Sequence, residues 1–199
     1  MKYLQKIIFV LILLVCCCCS RDPVAPVLNN NGSAIPVNDI KGLSNFAKIS
    51  ETLYRGAQPD KEGFSELKKI GVKTVINLRS SHSDKSMMKG LGLRYLEIPI
   101  RAGDVSEENV IKFLKTVTNS ENGVIFVHCQ HGSDRTGMMI GAYRMYVQGW
   151  SREDAIAELA NFGFHEIYKS IKRYIEGFDV DLMRQRVKSA ADVKLEIVL

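Results

Sequence analysis

Val124-Ile125-Phe126-Val127-His128-Cys129-Gln130-His131-Gly132-Ser133-Asp134-Arg135-Thr136-Gly137 is the stretch on which the fold turns. Its first four residues are apolar and rich in β-branched side chains, which suits a central parallel strand covered on both faces. Met138, Met139, Ile140, Ala142 and Met145 then continue as a helix. Between strand and helix, five residues separate Cys129 from Arg135, enough for the chain to curl into a cup with its N–H groups turned inward. Gly132 supplies the backbone freedom and the helix start adds its positive end, so a tetrahedral oxyanion fits the cup. Arg135 can grip two oxygens of such an anion with its planar fork. The same positive field favours the thiolate of Cys129 and makes it a nucleophile. Alone, a cysteine at the end of an apolar strand reads as an inert core thiol; the spacing to Arg135 and Thr136 gives it chemistry.

Outward from this stretch, the chain alternates between strand and helix patterns. Residues 46–49 and 52–55 read as short strands entering the turn Gly56-Ala57-Gln58-Pro59. Asp60 can cap a helix that carries Phe64, Leu67 and Ile70 on one face and closes at Gly71. Residues 72–78 read as a buried strand, 83–91 as a short helix and 93–100 as an alternating strand. Ser106 and Ser151 each stand before a helical pattern as caps, and two further helical segments follow at 167–175 and 181–187. The expected class is α/β, with a central, mostly parallel sheet of about four or five strands flanked by helices.

The full chain has 199 residues, 46% hydrophobic and 25% charged, which excludes a disordered tail, a multi-span membrane protein and a disulfide-stapled miniprotein. A net charge of +5 without a Lys/Arg block gives no support for nucleic acid as a partner. Four of the five cysteines are consecutive, Cys16 to Cys19. Lys2 and Lys6 precede an apolar stretch at 7–15, too short to cross a bilayer core, which needs about 20 helical residues. That pattern resembles a bacterial lipoprotein signal over 1–19, with Cys17 as the lipidated residue and Cys16 or Cys18 as alternatives. It implies a lipid anchor in the bacterial cell envelope and a membrane contact through that lipid. Residues 20–43, with Pro23, Pro26, Asn29 to Asn31, Gly32 and Pro36, read as a flexible tether. One catalytic domain at 44–199 remains, expected to act as a monomer. It contains a single cysteine, so no internal disulfide can hold it together.

His-Cys-x-x-Gly-x-x-Arg-Thr-Gly at 128–137 resembles the loop of the cysteine-based protein phosphatases, specifically the compact dual-specificity group. The likeness extends to Leu53-Tyr54-Arg55-Gly56-Ala57-Gln58-Pro59, Val75-Ile76-Asn77-Leu78-Arg79 and Gly149-Trp150-Ser151, and so covers residues 45–178. It implies hydrolysis of phosphate monoesters in two steps. Cys129 would attack phosphorus, Arg135 would clamp the phosphoryl oxygens, and Thr136 would hydrogen-bond the cysteine sulfur to ease its departure. His128 would orient the loop. The substrate, a phosphorylated protein or small molecule, would be cradled by Gln130, His131, Gly132, Ser133, Asp134 and Arg135. Arg135 and the amides supply the positive field that metals supply elsewhere, and four histidines without a spaced ligand cluster fit that reading, so neither metal nor cofactor is expected. Two carboxylates compete for the role of general acid: Asp104, on a loop between a strand and a helix, is the first choice, and Asp134, inside the loop itself, the rival. A phosphoinositide or inositol phosphate phosphatase, a sulfurtransferase and a phosphate-binding module without turnover stand as alternatives.

Overall fold

A computed structural model describes residues 25–29 and 32–199. The expected signal segment, with Cys17, lies outside the described residues. The chain runs through β1 (Ala47–Ser50), β2 (Leu53–Gly56), α1 (Lys61–Lys69), β3 (Thr74–Arg79), α2 (Lys85–Met88), β4 (Arg94–Ile100), α3 (Glu107–Val117), β5 (Ile125–His128), α4 (Asp134–Gln148), α5 (Arg152–Asn161), α6 (Lys169–Glu176), α7 (Val180–Ser189) and β6 (Glu196–Ile197). The strands form one sheet in the order β1-β2-β5-β3-β4-β6. Its four inner strands are mutually parallel, and β1 and β6 close the two edges antiparallel. The α/β class and the central place of 124–127 agree with the sequence reading.

Alternation along the strands sorts side chains onto two faces. Ile125 and Val127 join Ile76, Leu78, Leu96 and Ile98 in the larger core under the helices that follow β4. Phe126 joins Val75, Tyr54 and Tyr95 in the smaller core, under Phe64 and Leu67 of α1 and Met88 of α2. The caps read from the sequence form as expected. Asp60 accepts the Gly63 N–H at 2.8 Å, Ser106 that of Asn109 at 3.4 Å and Ser151 that of Asp154 at 3.0 Å. Gly149 closes α4 in the left-handed conformation, φ 70°.

Two expectations differ from the structure. The sheet has six strands, because a two-residue segment near the C-terminus pairs Ile197 with Arg94 and Glu196 with Tyr95. Two residues cannot display a period, and so the sequence shows no strand there. The second difference concerns the tether. Nearly half of it, from 33 onward, is docked: Ser33, Ala34 and Leu43 are buried, and Val37 pairs with Phe46 through both backbone groups. The Ala34 N–H donates to Glu158 at 2.9 Å and its carbonyl accepts from Asn161 at 3.0 Å, both on α5. Prolines interrupt a strand ladder but leave enough backbone groups for isolated bridges and side-chain partners.

Candidate active site

The tip of β5 delivers Cys129 to the start of the loop, where it is 2% exposed. Three consecutive loop carbonyls are held from outside. Gln130 accepts from the Gln58 N–H at 3.1 Å, His131 from Asn45 Nδ2 at 2.9 Å and Gly132 from Arg55 Nη2 at 2.6 Å. In a trans peptide the carbonyl and the following N–H point opposite ways. The amides of His131, Gly132 and Ser133 are therefore turned to the concave side, which is the anion cup expected from the spacing. Ser133 stands at the N-cap position of α4 without a side-chain cap bond, and the first turn closes by a 2.7 Å bond from the Gly137 N–H to the Ser133 carbonyl.

Gly132 has φ 73°, and a Cβ there would lie 2.6 Å from the Gly56 carbonyl carbon and 2.7 Å from the Ala57 nitrogen. Backbone rests on backbone at this point, so nothing can yield. Gly132→Ala is expected to cost about 3 kcal/mol or more, summing left-handed strain and overpacking. A denaturant titration reads it, and activity should fall with it because the cup is built on this contact.

Three groups outside the cup fix its shape. Arg55 lies under it with its guanidinium 3.5 Å from the centre of the Phe162 ring; burial pushes this arginine down to about 10, against the opposing pull of Glu158 and Cys129. Asn45, in the left-handed region at φ 50°, spans the His131 and Phe162 carbonyls. His128 turns to the smaller core, packed between Phe126 and Phe64. Its ring meets the Cys129 carbonyl through Nδ1 at 3.1 Å and Asp84 Oδ2 through Nε2 at 2.9 Å. The expected orienting role of His128 fits these contacts; Asp84 was not read from the sequence at all.

Around the cup the remaining sequence-predicted residues separate. Gln130 and His131 are exposed, whereas Ser133 and Asp134 are buried. Arg135 is half-buried, and one of its N–H groups reaches the Ile100 carbonyl at 3.2 Å, where the loop carrying Asp104 begins. Asp104 is exposed, and no hydrogen bond or ion pair engages its carboxylate among the described residues. That loop is gripped at Gly103: Ser170 donates to its carbonyl at 2.6 Å, and the Tyr168 ring packs where a Cβ would be. Asp134 is engaged by a residue the sequence did not suggest, accepting from the His165 backbone N–H at 2.9 Å and facing its ring nitrogen at 3.0 Å. Thr136 Oγ1 is fully buried and has no hydrogen-bond partner among the described residues, the Cys129 sulfur included.

The sequence model of the tyrosine phosphatase family matches residues 42–196. The chain belongs to this family. It is 32% identical over 143 residues to the dual specificity protein phosphatase TpbA of Pseudomonas aeruginosa, a match that spans 70% of this chain and 65% of that relative. The chain thus spans just under two thirds of the length of that relative. The crystal structure of TpbA superposes with a TM-score of 0.68 at 28% identity, over 78% of this chain and 97% of that one. The inositol diphosphatase DSP3 of Arabidopsis thaliana is 27% identical over 71% of this chain and 73% of its own length. The family match takes in β1 and the loop.

Proposed function

We propose that the chain hydrolyses phosphate monoesters through a cysteinyl-phosphate, with phosphotyrosine in proteins as its principal substrate. The observation that carries the reading is the cup itself: a buried nucleophile where the loop begins, amides turned inward by carbonyls held from outside, and Arg135 in the first turn of the helix that follows. In the first step the Cys129 thiolate forms a bond to phosphorus while the ester P–O bond breaks, and Asp104 gives its proton to the leaving oxygen. In the second, water attacks the phosphocysteine, Asp104 takes a proton from it, and the thiolate leaves. Arg135 and the amides carry the charge that builds on the equatorial oxygens in both steps. Membership of the tyrosine phosphatase family supports this, as does the solved complex of a cysteine-to-serine variant of TpbA with pTyr. The test is phosphate release by the full-length protein from a phosphotyrosine peptide, beside a phosphoserine peptide and inositol pyrophosphates. Turnover of the inositol compounds alone would replace this reading with that of the inositol diphosphatases among the relatives.

Asp104 and Asp134 are distinguished by their surroundings. An acid must reach the leaving oxygen, and Asp104 sits unengaged on a loop whose base touches Arg135, whereas both Asp134 oxygens face His165. Asp104→Asn is expected to lower kcat by about 10²- to 10⁴-fold and to flatten the fall in rate toward neutral pH. Asp134→Asn should keep that fall. The opposite pattern would move the acid into the loop.

The domain is proposed to work as a monomer held on the bacterial cell envelope by a lipid on Cys17. No described helix is long and apolar enough to cross a membrane, and the anchor proposed is the N-terminal lipid. Labelled palmitate should enter the wild-type chain, and Cys17→Ala should abolish the label; incorporation that persists would assign it to a neighbouring cysteine.

A further inference from the structure

Ile171 and Ile175 of α6 are fully buried in the core that also takes Met138, Met139 and Ile140 of α4. This fixes α6 against the helix that carries Arg135. The residues entering α6 reach two loops of the site at once. His165 holds Asp134 through its backbone N–H at 2.9 Å. The Tyr168 N–H donates to the His165 carbonyl at 3.0 Å, and the two rings meet edge to face with centres 6.2 Å apart. Tyr168 makes no side-chain cap bond to α6; its ring lies instead on Gly103, where a Cβ would stand 2.7 Å from Cδ1. Ser170 Oγ donates to the Gly103 carbonyl at 2.6 Å.

Gly103 is the third residue of a turn in which the Asp104 N–H donates to the Arg101 carbonyl at 3.1 Å. Its φ of 81°, the only positive value in the turn, makes the turn type II, which takes glycine at that place. Asp104 is the last residue of the turn, so whatever fixes the turn fixes where the carboxylate starts from. We propose that Tyr168 and Ser170 are positioning residues for Asp104: ring and hydroxyl clamp the turn at 101–104 onto the start of α6, and so set the direction from which the acid meets the leaving oxygen. The inference deepens the reading of Asp104 as general acid and rests on it. Misplacing a reacting group by about 1 Å can cost about 10²-fold in rate, which is the scale on which such a clamp acts.

A proton counts for more the more poorly the leaving oxygen departs as an anion. Phenyl phosphate needs it, dinitrophenyl phosphate does not, and kcat/KM follows the breaking of the ester bond in both. In the full-length protein, Ser170→Ala and Tyr168→Ala should each lower kcat/KM for phenyl phosphate about tenfold more than for dinitrophenyl phosphate. Combined with Asp104→Asn, neither should cause a further loss on phenyl phosphate, because the group that it positions is gone. Damage to the cup would lower both esters alike. That result overturns the proposal, as does an undiminished rate on phenyl phosphate or a further loss in the double variants. Asp104→Asn by itself tests the reading beneath: equal effects on the two esters would remove Asp104 as the acid, and the clamp's role with it, whatever the single variants at 168 and 170 show.

Discussion

Cys129→Ser should lower turnover of a phosphotyrosine peptide by at least about 10⁴-fold while leaving the substrate bound. Serine keeps the size of the side chain at a position that is 2% exposed, so the thermal transition should stay within about 2 kcal/mol of the parent. The amides of His131, Gly132 and Ser133 and the Arg135 fork are untouched, and the charge of a thiolate no longer opposes a phosphate dianion. Binding should therefore hold or tighten, measured by calorimetry with a non-hydrolysable phosphotyrosine mimic. Arg135→Lys separates the second contribution. Lysine keeps the charge but loses the planar fork, and its loss of about 10²- to 10³-fold should appear in both kcat and affinity. Activity that survives Cys129→Ser and depends on added metal would overturn the cysteinyl-phosphate.

The cup was legible in the sequence because everything that defines it is local. Cys129, Gly132, Arg135 and Thr136 fall within eight residues, and the strand before and the helix after are written in unbroken apolar patterns. What supports the cup was not legible, because each support arrives from a distant place. Arg55 lies 77 positions from the carbonyl it holds, Asn45 lies 86 from His131, and Asp84 lies 44 from His128. An asparagine or aspartate in a polar stretch reads as turn chemistry, and only the sheet order, which places β5 between β2 and β3, turns such residues inward. The same holds for the choice of acid. Both aspartates suit the chemistry by position, and the partner that distinguishes them, His165, stands 31 residues beyond Asp134. The tether was overextended for a related reason: its docking groups are backbone atoms of Ala34, which no side-chain pattern announces, and the side chains that receive them belong to α5.

Those receiving side chains set up the largest expected loss of stability. Arg144 and Glu158 form a buried pair, 5% and 3% exposed, with contacts of 3.0 Å at Nε and 2.5 Å at Nη2. The guanidinium also bonds Gln148, reaches the Ile49 carbonyl and lies 4.2 Å from the centre of the Trp150 ring, so little of it meets water. Glu158→Ala leaves that charge buried without its counter-ion and should cost about 3–5 kcal/mol, or a fall in Tm of about 10 °C or more. Glu158→Gln keeps the shape and some hydrogen bonds but not the charge, so its cost should be intermediate. Replacing both partners, Arg144→Met with Glu158→Leu, removes the uncompensated charge and should recover most of the loss. It cannot recover the Ala34 N–H, which donates to the same carboxylate. Hydrogen exchange at the Ala34 amide should therefore be fast in the double variant although global stability has returned. That split would show that Glu158 does two separable things: it neutralises Arg144 within the core, and it pins the segment that leads from the N-terminus onto α5. An Ala34 amide that stays protected in the double variant would assign the docking to Asn161 and the Val37–Phe46 pairing instead.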